Sequence, residues 1–237
     1  GFPLLMLEFS IGQYFNKNIV DLFASIRKRF RHIGWLMIFN AFIVMSYYAV
    51  VLSWHIVYIF VSFGMQWRDD AKGYFLNNVI QMSEGFRGFT SFSLPVFIAL
   101  ILAWLLLFFN IKNGYESMKK CILAAFPIFI TLLISFLMYA LTLDNALQGV
   151  YSFLKPDLSA LMSLSTWANS FFMAILSLGL SFGVMQAVGR RGKGFIVGNS
   201  FIVVISELTI SIAIGLILFG VLGFLSMKQE IGIDKLI

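Results

Sequence analysis

Three residues at helical spacing, Glu207, Ser211 and Gly215, form the group in this sequence that is best suited to bind a cation. Glu207 lies deep inside a hydrophobic segment that starts near Phe195, so it is expected near the middle of an apolar layer about 30 Å thick. The carboxylate and the hydroxyl are oxygen ligands, which hard cations prefer. The alternative is a protonated glutamate that hydrogen-bonds to a neighbouring helix, and spacing does not decide between the two.

A second polar group lies at residues 177–183, where Ser and Gly alternate with apolar residues inside another hydrophobic segment. The spacing of Gly179 with Gly183, and of Ser177 with Ser181, is typical of a tight contact between two helices. The other interpretation is a break in the helix, whose freed backbone groups would face a cavity and bind a solute or an ion. Spacing alone favours the contact.

Two further polar positions also lie deep in apolar segments. Glu8 is followed one turn later by Gly12, and we expect it to accept hydrogen bonds from exposed backbone N–H groups of another helix; direct ligation of an ion is the alternative. Tyr47 and Tyr48 lie too deep for an interfacial tyrosine belt. Their hydroxyl groups need partners, which a solute carboxylate or a backbone group would supply.

Membrane-spanning helices must position these residues. The 237 residues are 60% hydrophobic and 12% charged, with a mean hydropathy of +0.91, whereas soluble domains carry about 25% charged residues. An open strand in lipid would leave its backbone unpaired, so spanning segments are helical. The sequence therefore predicts an all-α polytopic membrane protein, an internal piece of a longer one, with spans at 2–13, 34–63, 92–111, 121–143, 164–188 and 195–226.

Most of the basic residues fall in three alternate loops, at 14–33, 112–120 and 189–194. The positive-inside rule predicts that these loops are cytoplasmic. The net charge of +6 therefore reflects membrane topology, and no nucleic-acid partner is expected. A single cysteine, Cys121, excludes a disulfide framework and a cysteine metal site.

Seven sequence pieces, in order, resemble the neurotransmitter:sodium symporter family, which shares its fold with the bacterial leucine transporter. They match the second to the seventh transmembrane helix of the family. The pieces are GFPLLMLE (1–8) with GQ (12–13); YY (47–48) with SW (53–54); NGYE (113–116); FP (126–127); TL (142–143), AL (146–147), Gly149 and LKPD (154–157); SLGLSFG (177–183); and Gly215, Phe219 and LGFL (222–225).

The resemblance implies one transporter domain over residues 1–237, part of an inverted-repeat fold whose sixth helix is broken. By the family pattern, the chain lacks the first helix and the helices from the eighth onward. The implied function is sodium-coupled symport of an amino acid or related amine across the cytoplasmic membrane by alternating access, without enzymatic chemistry. The alternative is a homologue that does not transport and has a regulatory or scaffolding role; the oligomeric state is not predicted.

The resemblance also assigns roles to the candidate residues. Sodium would be bound by Ser177 and Glu207, where Glu207 occupies the position of an asparagine ligand in the family. Ser211 falls at the anion position of chloride-dependent members, and Glu8 would support the unwound helix. The substrate would contact Val44, Tyr48, Leu176, Ser177, Gly179 and Phe182.

Three positions depart from the family pattern. Ser181 stands where the family prefers glycine, so the break is expected to be less pliable. Met173 replaces a glutamine that often supports the anion site, and Glu207 brings a negative charge of its own. We therefore hypothesise that chloride is not required, because the Glu207 charge balances sodium.

Overall fold

The computed structural model describes residues 1–68, 70–81, 93–192 and 194–229, and this part of the chain is helical with no strands. The α-helices are α1 (Phe2–Phe15), α2 (Ile19–Ile26), α3 (Arg31–Ser62), α4 (Ala71–Tyr74), α5 (Leu94–Ile111), α6 (Tyr115–Thr142), α7 (Ala146–Leu154), α8 (Leu164–Ser177), α9 (Val184–Arg191) and α10 (Ile196–Gln229). Short turns of 3₁₀ helix lie at Lys28–Phe30, after α2, and at Leu158–Met162, after α7, and a π-helical turn lies at Phe75–Ile80, after α4.

The long apolar segments of the sequence form the long helices of the structure. Four described helical stretches are long and apolar enough to cross a membrane: Lys28–Ser62, Leu94–Ile111, Tyr115–Thr142 and Ile196–Lys228. A helix of this length can cross the apolar layer of a membrane. It also pairs its backbone hydrogen-bonding groups within the segment, as lipid requires. The predicted all-α polytopic architecture is confirmed.

The fifth predicted span, at 164–188, is not one helix. It is divided into α8 and α9, and residues 178–183 between them form turns and bends instead of a helix. The break in the helix is therefore the correct interpretation of this stretch, and the continuous packing face that spacing favoured is wrong. The cause is local, because three of these six residues adopt positive φ angles that an α-helix cannot contain.

The chain forms two compact units, of which the first comprises Phe39–Ala125. Its core joins α3, α5 and the π-helical turn through small and branched side chains. The Phe75 ring packs edge-on against Trp54, with ring centroids 5.5 Å apart. The buried core residues are Ile56, Val57, Val79, Ala99 and Ala103.

The second unit comprises Gly1–Ile38 and Phe126–Ile237. In this unit α1 packs against α9 and α10, and α7 packs against α10. Its core has Leu5 and Phe9 from α1 in contact with Leu178 and Leu180 from the break in the helix. The core of this unit is thus built directly around the unwound segment.

Some sequence predictions fall on residues outside the described ranges. They concern the start of the third span at Phe92 and Lys193 of the basic loop at 189–194.

Candidate functional site at the unwound helix

Helix α8 ends in a Schellman motif centred on Gly179. The N–H of Leu180 donates to the carbonyl of Ile175 over 3.0 Å, and the N–H of Gly179 donates to that of Leu176 over 3.1 Å. This pair of bonds requires a left-handed residue at Gly179, whose φ is +63°. Ile175 also packs against the cluster that contains Leu180, the apolar contact that accompanies this motif. Helix α8 therefore ends at Gly179, because glycine readily adopts the left-handed conformation that the motif requires.

Ser181 adopts the same left-handed conformation without being glycine. Its φ is +67°, which brings Cβ close to the following carbonyl and costs about 1–2 kcal/mol for an L-residue. Ser181 is the position where the family pattern prefers glycine, so the departure noted in the sequence coincides with a strained backbone. Such strain persists only where surrounding contacts hold the backbone in place.

At the break, polar backbone groups of two helix ends have no hydrogen-bond partner among the described residues. No described residue donates a hydrogen bond to the carbonyls of Ser177 and Leu178 at the end of α8. At the start of α9, the N–H of Ala187 donates to the carbonyl of Gly183. Among the described residues, the three N–H groups before it in the helix, at residues 184–186, donate to no backbone carbonyl. A helix C-terminus carries partial negative charge and an N-terminus partial positive charge. The segment can therefore attract a cation at one end and an anionic group at the other.

Glu8 forms a hydrogen bond to the backbone in the middle of the break, at Ser181. Its Oε1 atom accepts a hydrogen bond of 2.8 Å from the backbone N–H of Ser181. The Glu8 side chain is only 8% exposed, so the contact is formed away from solvent. The carboxylate thus satisfies one of the N–H groups that the unwinding frees.

Helices α1 and α9 approach each other so closely that only glycine fits at the crossing. A Cβ atom on Gly12 would lie 2.2 Å from the carbonyl oxygen of Gln186, and one on Gly189 would lie 2.7 Å from that of Phe9. The side-chain amide of Gln13 also donates to the carbonyl of Gly192 over 2.8 Å. These contacts fix α9 against the helix that carries Glu8.

Gln186 is a polar residue of the site that the sequence analysis missed. It is 7% exposed, and its side chain lies next to the Glu8 carboxylate. The signal for it was present, since Gln186 is an uncharged polar residue within a predicted span. The sequence, however, gave no indication of which face of the short helix α9 would be buried.

The candidate cation ligands of α10 lie on one face of the helix. The hydroxyl of Ser211 donates to Oε1 of Glu207 over 2.9 Å, so the pair at i and i+4 is linked within the helix. Gly215, one turn later, is in contact with the ring of Phe153 from α7, where a Cβ atom would lie 2.4 Å from the ring. The close approach at Gly215 therefore serves helix packing.

Helix α10 reaches the unwound segment one turn before Glu207. Val203 and Val204 pack against the buried cluster that contains Leu178 and Leu180. Because Glu207 follows Val203 by four residues, it continues the face of α10 that contacts this cluster. Glu207 therefore lies one turn beyond the part of α10 that packs against the break.

The structure brings most, but not all, predicted site residues into one unit. Leu176, Ser177, Gly179 and Phe182 lie at or beside the break, and Glu8, Glu207 and Ser211 lie on helices packed against it. Val44 and Tyr48 lie one turn apart on α3, in the unit Phe39–Ala125. Tyr48 is 59% exposed and its ring packs edge-on against Tyr47 at 5.6 Å. The placement of these two residues beside the break remains a prediction.

Comparison with known proteins identifies relatives of this chain. The sequence pattern of the Sodium:neurotransmitter symporter family matches residues 1–70 and 65–237. An uncharacterized sodium-dependent transporter of Methanocaldococcus jannaschii is 31% identical over 99% of this chain and 48% of its own length. A sodium- and chloride-dependent GABA transporter of Drosophila melanogaster is 26% identical over 99% of the chain and 28% of its own length. GABA transporter 2 of Rattus norvegicus, also sodium- and chloride-dependent, is 25% identical over 99% of the chain and 44% of its own length.

These relatives are longer than the chain. The chain spans about half, or less, of the length of the relatives named above. All of them are named as transporters, which agrees with the expectation that this protein performs no enzymatic chemistry.

Proposed function

Because the chain belongs to the Sodium:neurotransmitter symporter family, we propose that it forms part of a sodium-coupled symporter for an amino acid or a related amine. Transport proceeds by alternating access, in which the same site opens to one side of the membrane and then to the other. The inward sodium gradient supplies the driving force, and both solutes leave the protein unchanged.

The observation that carries this proposal is the break between α8 and α9 at residues 178–183. It exposes carbonyl groups of one half-helix and N–H groups of the other within a segment that sequence places in the membrane. Irregular backbone is tolerated at membrane depth only where protein buries it or where it lines a cavity. Discontinuous helices of this kind form substrate and ion sites in secondary transporters.

Sodium is the smaller of the two solutes and is bound by oxygen atoms. Ser177 and Glu207 are its proposed ligands, from α8 and α10 respectively. Ser177 is exposed within the chain. Its hydroxyl is the proposed ligand group, and it lies beside a carbonyl group that accepts no hydrogen bond from the described residues. The carboxylate of Glu207 brings the full negative charge that a neutral asparagine would not supply.

The proposed contacts of the organic substrate come from the break and from α3. From the break, Leu176, Ser177, Gly179 and Phe182 are proposed to line its site. On α3, the hydroxyl of Tyr48 would bind the substrate carboxylate, and Val44 would contact the substrate from one turn earlier. A substrate carboxylate close to bound sodium couples the two solutes, since each then raises the affinity for the other by the same factor.

Chloride is not required in this proposal. Ser211 occupies the anion position, but its hydroxyl is already donated to Glu207. A carboxylate at that distance repels an anion. Met173 adds no hydrogen-bond donor where the family often has one, so the Glu207 charge takes the place of chloride.

The proposal is tested by uptake into proteoliposomes that contain the whole protein. A panel of standard amino acids and GABA is offered with an inward sodium gradient, and with potassium replacing sodium as the control. Accumulation of one of these solutes in sodium only is the expected result. Sodium-dependent binding without uptake would contradict symport and would indicate a homologue with a regulatory role.

A further inference from the structure

We infer that Gln186 is a positioning residue, whose carboxamide holds the Glu8 carboxylate in the orientation that accepts the N–H of Ser181. The inference rests on the proposed function, because it names a residue that sets the geometry of the proposed substrate segment. Gln186 itself is not expected to touch substrate or sodium.

Two buried oxygen atoms carry this inference. Oε2 of Glu8 and Oε1 of Gln186 are both inaccessible, and neither accepts a hydrogen bond from the described residues. The two side chains lie next to each other and are 8% and 7% exposed. Buried acceptors without donors are unfavourable, and native structures contain few of them.

A carboxamide is suited to repair this deficit because it carries two N–H donors and one acceptor. Rotation about the last side-chain bond of Gln186 is soft, so an N–H group can be turned toward the free oxygen of Glu8. The carboxylate then accepts from Ser181 on one oxygen and from Gln186 on the other. With both oxygens engaged, the orientation of the carboxylate toward the break is determined.

The backbone of Gln186 packs against α1, the helix that carries Glu8. Its carbonyl oxygen packs directly on Gly12, where a Cβ atom would lie 2.2 Å away. Gly12 is one helical turn from Glu8, so both residues occupy the same face of α1. The backbone of Gln186 cannot move away from the helix that carries Glu8 unless the crossing of α1 and α9 opens.

Together, these contacts connect the break and the start of α9 to the same residue of α1, Glu8. Ser181 lies in the break and Gln186 lies in the first turn of α9, and both are joined through Glu8. These contacts fix the backbone conformation between Ser181 and Gln186, where the break leads into α9. Loss of the Gln186 carboxamide would loosen the break, whereas the glycine contacts would still hold α9 on α1.

The test compares two substitutions that remove the same chemical group from the same pair of helices. Gln186→Met removes the proposed positioning amide, and Gln13→Met removes the amide that bonds Gly192 at the same interface. Amide hydrogen exchange is measured in the whole protein for a peptide that covers residues 178–183. Gln186→Met is expected to speed this exchange at least about tenfold, and Gln13→Met less than about twofold. Equal effects of both variants would overturn the inference.

An exchange of partners provides the second arm. Gln186→Glu places two carboxylates side by side and is expected to speed exchange of the break at least about tenfold. Adding Glu8→Gln restores a complementary pair, because the new amide accepts from Ser181 and donates to the carboxylate that Gln186→Glu introduces. Slow exchange should therefore return to within about threefold of the unmodified protein. Failure of Glu8→Gln to rescue Gln186→Glu would overturn the inference.

These readouts are independent of transport. A protein that binds no substrate in sodium would contradict the proposed function, but it would still show whether Gln186 controls the break. Conversely, a sodium-dependent transporter whose break is unaffected by Gln186→Met would contradict only the role of Gln186.

Discussion

The Glu8 carboxylate and the backbone N–H of Ser181 lie 2.8 Å apart, although 173 residues separate them in sequence. The contact joins α1 to the one stretch between α8 and α9 where the backbone leaves the helix. It also falls at Ser181, the non-glycine residue of that stretch with a positive φ. An acid buried in one helix thus stabilises a strained turn in another.

Removal of the Glu8 acceptor should destabilise the protein. Glu8→Ala leaves the Ser181 N–H unpaired in a buried place, at a cost of about 1–3 kcal/mol. Thermal unfolding of the purified protein in detergent measures the effect as a lower midpoint. Glu8→Gln should retain most of the stability, because its carbonyl oxygen can accept the same hydrogen bond.

A matched control for Glu8→Ala lies two residues along the same helix. Ser10 donates only within α1, to the carbonyl of Met6, so Ser10→Ala should leave the unfolding midpoint nearly unchanged. A midpoint that falls equally in both variants would show that Glu8 makes no special contribution.

The left-handed backbone at Ser181 gives a second prediction. Ser181→Val places a β-branched residue at a φ of +67° and should cost about 1–3 kcal/mol. Ser181→Gly relieves the strain but adds freedom to the unfolded chain, so its stability should change by less than about 1 kcal/mol. Thermal unfolding of both variants is the measurement. A Ser181→Val variant as stable as Ser181→Gly would contradict the left-handed conformation.

The crossing of α1 and α9 gives a third prediction. Gly12→Ala forces a methyl group against the Gln186 carbonyl, so one helix must shift, at a cost of about 1–3 kcal/mol. Gly64→Ala is the control, since a Cβ atom there meets no atom within 3.4 Å and the glycine needs no positive φ. Expression level and unfolding midpoint should fall for Gly12→Ala only. A Gly12→Ala variant as stable as Gly64→Ala would place the two helices further apart than we find.

Much of this fold could be predicted from apolar segment lengths alone. In lipid, a long apolar segment must form a helix to pair its backbone groups. The bounds of α5 and α10 accordingly lie within a few residues of the predicted spans. The break at residues 178–183 could not be predicted in the same way. Small residues at Gly179 and Gly183 suit either a close helix contact or a left-handed backbone, and only the ordered family motifs favoured the break.

The partners of the site residues were less predictable than the site itself. Glu8 was identifiable as a buried acid, but its contact with Ser181 depends on how α1 crosses α9. Gln186 was missed because the burial of one face of a short helix depends on that same crossing. Gly215 was grouped with Glu207 and Ser211 for its spacing, whereas its contact is with Phe153 of another helix.

The carboxylate of Glu207 gives a prediction about anions. If its charge replaces chloride, uptake driven by sodium should be equal in chloride and in gluconate buffers. Glu207→Gln removes that charge and should raise the sodium concentration for half-maximal uptake at least about fivefold. Strict dependence of the unmodified protein on chloride would contradict this role.

The central claim is that sodium and an organic substrate bind together at the break between α8 and α9. It is tested most directly by substrate affinity in the whole protein, measured in sodium and in potassium, with Ser177→Ala as the comparison variant. We predict that sodium raises the affinity at least about fivefold in the unmodified protein, and that Ser177→Ala loses most of this increase. An affinity that is the same in sodium and in potassium would contradict the claim.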